Sequence, residues 1–141
     1  MQTSATISMA GALKAIKAAS LRPREIKRAL TIAAMGQVRD IKDRTSKGKG
    51  LKSPFKPYSS EYNIFKAKRK GGSPTVNLVF SGRMLGDLGV VKANHNEAVI
   101  SFHRASERKK AESNQKSRPF MGITDKEQKV ILKRFKRALF K

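Results

Sequence analysis

Residues 23–45 read PREIKRALTIAAMGQVRDIKDRT, and the fold turns on this stretch. Ile26, Leu30, Ala34, Val38 and Ile41 recur every three or four residues, which draws one apolar stripe along a helix and leaves charge on its other sides. Pro23 suits a first helical turn, where a missing N–H is harmless. After Thr45 the run Ser46-Lys47-Gly48-Lys49-Gly50 breaks any regular element. The spacing therefore predicts a long helix over 23–45 whose stripe must be covered by other elements.

Upstream, Met9, Ala12, Leu13, Ile16 and Ala19 suggest a short amphipathic helix over 9–19. Downstream, 46–72 holds Pro54, Pro57 and many lysines, and reads as a long, mostly irregular basic loop pinned in places by Phe55, Tyr58, Tyr62, Ile64 and Phe65. Thr75–Phe80, Val90–Ala93 and Ala98–Phe102 have strand propensity, with Asn94-His95-Asn96 as the turn between the last two. Ser81 is placed to cap a short helical turn through Arg83, Met84, Leu85 and Leu88 that ends at Gly89. Residues 104–118 are polar, low in complexity and without an apolar period, and read as a flexible basic arm. Thr124-Asp125-Lys126-Glu127 is a capping box, and Ile131, Phe135, Ala138 and Leu139 give the helix it opens an apolar face. The expected fold is one α+β domain over 1–141, a small antiparallel sheet packed against the long helix and the C-terminal helix.

A chain of 141 residues can bury a sufficient core as one domain. It has no cysteine, which excludes disulfides and thiolate chemistry and requires no oxidising compartment. Lys14 and Lys17 interrupt the N-terminal apolar stretch, so a signal peptide is not expected, and no run of about 18 apolar residues suggests a membrane span. A soluble, cytosolic protein is the expectation. With 32 Lys and Arg against 10 Asp and Glu, the net charge of +22 calls for an acidic or polyanionic partner.

Residues for catalysis are scarce. His95 and His103 lack a third metal ligand, Gly48-Lys49-Gly50 lacks P-loop spacing, and Gly82, Gly86 and Gly89 do not follow a dinucleotide pattern. Asp40 and Asp43, beside Lys42 and Arg44, read as surface ion pairs on one helix. No catalytic, cofactor or metal site is expected. The runs containing Lys66, Lys68, Arg69 and Lys70, and Arg108, Lys109 and Lys110, are candidate polyanion contacts without sequence preference.

Three passages carry a resemblance. Leu78-Val79-Phe80-Ser81-Gly82-Arg83-Met84-Leu85 resembles the strand and "TGxL" passage of the phage virion-morphogenesis and tail-completion proteins, with Ser81 where Thr is usual. Arg118-Pro119-Phe120-Met121-Gly122-Ile123-Thr124-Asp125 resembles the "RPFLG(L/I)(S/T)(D/E)" passage before that family's last helix. Arg44-Thr45 followed by Phe55-Lys56-Pro57-Tyr58-Ser59 is similar to its Arg-Thr pair and "W-x-P-L-S" segment, with Phe55 for Trp and Tyr58 for Leu. After the second strand the family has a histidine followed by Gln and a glycine, whereas here His103 is followed by Arg104 and the basic arm.

The resemblance implies a non-enzymatic virion protein that completes the tail or joins tail to head, as a tail terminator or neck subunit. It implies a homo-oligomeric ring, hexameric by preference, that meets tail-tube or head-tail connector proteins, with the DNA end at the neck as an alternative contact for its positive charge and no membrane partner. The protein would be in the host cytoplasm during assembly and then in the virion. Ser81, Gly82, Arg83, Met84, Leu85, Arg118, Pro119, Phe120, Met121 and Gly122 are its candidate subunit or partner interface. The alternative reading is a non-specific nucleic-acid-binding protein of DNA packaging or compaction.

Overall fold

The computed structural model describes residues 3–8, 22–68, 76–78 and 82–140. The stripe predicted over 23–45 forms helix α1, Pro23–Ser46, with Pro23 in its first turn and Ile26, Leu30, Ala34, Val38 and Ile41 buried. Ala29 and Ala33 are also fully buried, and their small side chains let other elements approach the α1 backbone closely.

Among the described residues three strands make one antiparallel sheet in the order β1-β3-β2, with β1 at Ala5–Ser8, β2 at Leu88–Ala93 and β3 at Glu97–Phe102. The β2–β3 hairpin matches the expected pair. Its turn is set by Asn94, whose side-chain oxygen accepts from the N–H groups of Asn96 (2.8 Å) and Glu97 (2.9 Å). The sheet order leaves β1 and β2 at the two edges. Helix α1 packs on the sheet and, more extensively, on the C-terminal helix. One hydrophobic core joins them, with Ile7, Leu30, Ile100, Phe102, Phe120 and Phe135 inside it.

Several expectations are corrected. The 46–72 loop contains a helix, α2 at Ser60–Lys68, started by Ser59, whose hydroxyl accepts from the Tyr62 N–H at 3.2 Å. β1 is a strand the sequence did not announce, while of the strand expected over 75–80 only 76–78 are described: no strand forms there, and Leu78 has φ 57°, a left-handed conformation incompatible with a ladder. Residues 69–75, 79–81 and the helix expected over 9–19 lie outside the described residues.

The short helix α3, Arg83–Asp87, follows Gly82 at φ 79° and passes directly into β2 at Leu88, so it stops before the predicted Gly89. The arm expected at 104–118 is helix α4, Ala105–Ser117. Ala111 is fully buried and Glu107 nearly so, and Arg104 donates its N–H to Asp87 at 2.8 Å, which anchors the helix start beside α3. Helix-favouring residues and these few anchors replace the apolar stripe whose absence suggested disorder.

The last helix, α5 at Asp125–Leu139, starts with the predicted reciprocal cap between Thr124 and Glu127 and buries Ile131, Phe135, Ala138 and Leu139. Asp40 and Asp43 do not pair with their helix neighbours Lys42 and Arg44. Asp40 meets Arg134 of α5 at 2.8 Å and Asp43 meets Lys47 at 3.0 Å, while Arg44 crosses to Glu127.

Candidate functional site

The passages that carry the resemblance converge on Tyr58. Its ring meets Tyr62 edge-on at a centroid distance of 4.8 Å, and its hydroxyl accepts from the Leu78 N–H at 3.0 Å. The Arg118 guanidinium lies over the ring at 4.5 Å and the Lys66 ammonium at 5.2 Å. Two cations thus face one aromatic ring, an attraction that strengthens where water is excluded.

Arg118 is held firmly. Its Nε donates to the Lys56 carbonyl and a terminal nitrogen to the Pro57 carbonyl, both at 2.9 Å, so one guanidinium joins the end of α4 to the segment before α2. Lys66 is 1% exposed and donates to the Asn77 side-chain oxygen at 2.8 Å. Burial pushes its pKa below the ordinary lysine value. Burial pushes Tyr58 up, against the Leu78 N–H, which favours the phenolate. Beside this cluster Gly82, Met84, Lys110 and Asn114 complete a cleft of about 490 Å³.

The candidate interface residues divide by exposure. Gly82 and Arg83 are on the surface, Arg118 and Gly122 are partly exposed, and Pro119 is exposed. Met84, Leu85, Phe120 and Met121 are buried in the chain's own core, where Phe120 meets Phe102 at a ring distance of 6.4 Å. Those four side chains serve the fold of the chain, as expected for Phe120 as a buried anchor. Ser81 lies outside the described residues.

The candidate polyanion contacts also divide. Lys66 is withheld by burial, a correction, and Arg69 and Lys70 lie outside the described residues. Lys68, Arg108, Lys109 and Lys110 are exposed. Of these, Arg108 also donates to the Phe102 carbonyl and Lys110 pairs with Glu107, so Lys68 and Lys109 have the freer geometry. Among the described residues no three of His, Cys, Asp and Glu gather as metal ligands.

Sequence reasoning missed Gln115, whose side-chain oxygen accepts from the Phe120 and Met121 N–H groups at 3.0 and 3.1 Å while its nitrogen donates to the Met121 carbonyl. No local pattern announces a glutamine that holds a loop beyond its own helix. Tyr58 had a signal, an aromatic after Lys56-Pro57 inside a resemblance passage. No helix among the described residues is long and apolar enough to cross a membrane. Comparison with known proteins finds no matching family model, no similar curated protein and no similar solved structure.

Proposed function

We propose that this chain is a non-enzymatic structural subunit of a phage particle, one that completes the tail or joins tail to head by docking to other proteins. The carrying observation is the Tyr58 cluster. The Phe55–Ser59, Leu78–Leu85 and Arg118–Asp125 passages, distant in the chain, meet there through Arg118 over Tyr58 and the Leu78 N–H on its hydroxyl. Beside them α2 exposes Ile64 at 56% and Phe65 at 60%, apolar area suited to a protein contact.

On this reading subunits form a ring, for which a hexamer is the favoured count, and meet tail-tube or connector proteins in the host cytoplasm and then in the virion. The positive surface faces acidic protein or the DNA end at the neck.

The second reading, non-specific nucleic-acid binding, draws on the distribution of charge. Asp40, Asp43, Asp87, Glu97 and Glu127 each pair with a cation outside 108–110, so of the exposed Arg108, Lys109 and Lys110 of α4 only Lys110 has an ion-pair partner among the described residues, Glu107.

Light scattering on the purified chain at about 0.15 M and about 0.5 M salt, with and without duplex DNA, separates the two. A discrete oligomer that persists at the higher salt supports the assembly subunit. A monomer at both salts that binds DNA at the lower salt alone supports the second reading and removes the first.

A further inference from the structure

Between α1 and β2 runs a second groove, of about 800 Å³, unrelated to the Tyr58 cluster. Its floor is apolar: Met35 is 57% exposed, Val91 is 40% exposed, and Val38 lies below them. Three cations line it, Lys27, Arg39 and Lys92, and no carboxylate does. Of the three, only Lys92 has a carboxylate within reach among the described residues, Glu97 at 3.6 Å.

One wall is a sheet edge. Among the described residues β2 pairs with β3 on one side only, and its other side presents backbone donors and acceptors that suit a further strand. The register jumps between Val90 and Lys92, and the extra residue is Val91, which lines the groove. A strand edge, an apolar floor and a cationic rim together describe a seat for an extended peptide that alternates apolar and acidic side chains.

We infer that this groove binds an extended acidic segment of a partner protein along β2. The inference deepens the docking reading and rests on it for the partner being a protein. A second copy of this chain is a poor occupant. The other edge strand among the described residues, β1, reads Ala5-Thr6-Ile7-Ser8 and brings no carboxylate, and Glu97 on β3 is already paired. Nucleic acid satisfies the cations but not the apolar floor or the strand edge.

The test uses the full chain and a synthetic nine-residue peptide alternating Glu and Val, with a Lys and Val peptide as control. Affinity is read by fluorescence anisotropy, and contact by hydrogen exchange of backbone amides. The acidic peptide is expected to bind, to slow exchange within Leu88–Ala93, and to weaken as salt rises from about 0.15 to about 0.5 M. Met35→Glu and Val91→Glu each put a carboxylate into the groove at an exposed position, so both variants are expected to retain the fold, which circular dichroism checks. Each is expected to weaken binding by about tenfold or more.

Absence of binding overturns the inference, as does protection away from β2, equal binding of the basic peptide, or indifference to both substitutions. Protection of β2 that grows with protein concentration without peptide assigns the groove to a second copy and overturns it as well. If the peptide fails while a salt-resistant oligomer persists in light scattering, the groove assignment falls and the docking reading stands. If the peptide binds to a chain that remains monomeric and binds DNA, the groove assignment stands and the ring subunit falls.

Discussion

Arg44 of α1 and Glu127 of α5 are joined at 2.7 Å, and each also makes contacts that the other depends on. Arg44 donates to the Phe120 carbonyl at 2.6 Å and the Gly122 carbonyl at 3.0 Å. Glu127 accepts from Gln37 at 2.7 Å and from the Thr124 N–H at 3.2 Å, so the carboxylate that caps α5 also ties it to α1. The two side chains are 11% and 14% exposed, sheltered enough for the pair to matter.

Arg44→Ala therefore leaves Glu127 and two carbonyls short of donors and is expected to cost about 3 kcal/mol in urea denaturation. Arg44→Lys keeps the charge but not the three-way geometry and is expected to recover less than half of that loss. Full recovery by lysine would show that charge alone matters here.

At Tyr58, replacement by Phe removes the acceptor of the Leu78 N–H while keeping the ring beneath Arg118. A loss of about 1 kcal/mol is expected. Arg118→Ala, which removes the stack and both carbonyl contacts, should cost more than Tyr58→Phe. In a double-mutant cycle Tyr58→Ala and Arg118→Ala are expected to be non-additive by about 0.5–1 kcal/mol. Additive losses would mean that the cation over the ring contributes nothing.

Helix α4 is docked through Ala111, which is fully buried. Ala111→Asp buries a carboxylate and should free the helix, so that trypsin cuts at Arg108, Lys109 and Lys110 much faster than in the parent chain. Ser113→Asp, on the exposed side, should leave the cleavage rate close to the parent's. Rapid cleavage in all three proteins would restore the picture of a free arm.

The lowered pKa of Lys66 has a definite sign in stability. Between its folded value and the ordinary lysine value near 10.4, the unfolded chain holds more protons, so stability from this group rises with pH. Lys66→Met lacks the effect. Thermal or urea melts taken from about pH 8 up to the ordinary lysine value near 10.4 should show the parent gaining on the variant as pH increases. A flat or falling difference would contradict a desolvated ammonium at this position.

How much of the fold is legible in the sequence follows from how local each signal is. The α1 stripe, the cap of α5 and the Asn94 turn act over three or four residues, and all three are present in the fold. Helix α4 is hidden because its attachment is a single alanine, a glutamate and the amide of Gln115 rather than an apolar stripe. β1 is hidden because four residues alternating between buried and exposed are too short a pattern to separate from chance. The Tyr58 passages stand out one by one, but nothing local says that Arg118 crosses to Tyr58 or that Lys66 is covered.

By itself the sequence determined the charge, the helical periods and the caps, because these follow from residue type and from spacing within a turn or two. Only the tertiary structure decided which carboxylate each arginine meets and which motif side chains are spent in the core. It also decided which sheet edge stays open beside α1. Those outcomes depend on contacts between residues far apart in the chain, and burial is a property of the whole packed molecule rather than of any segment.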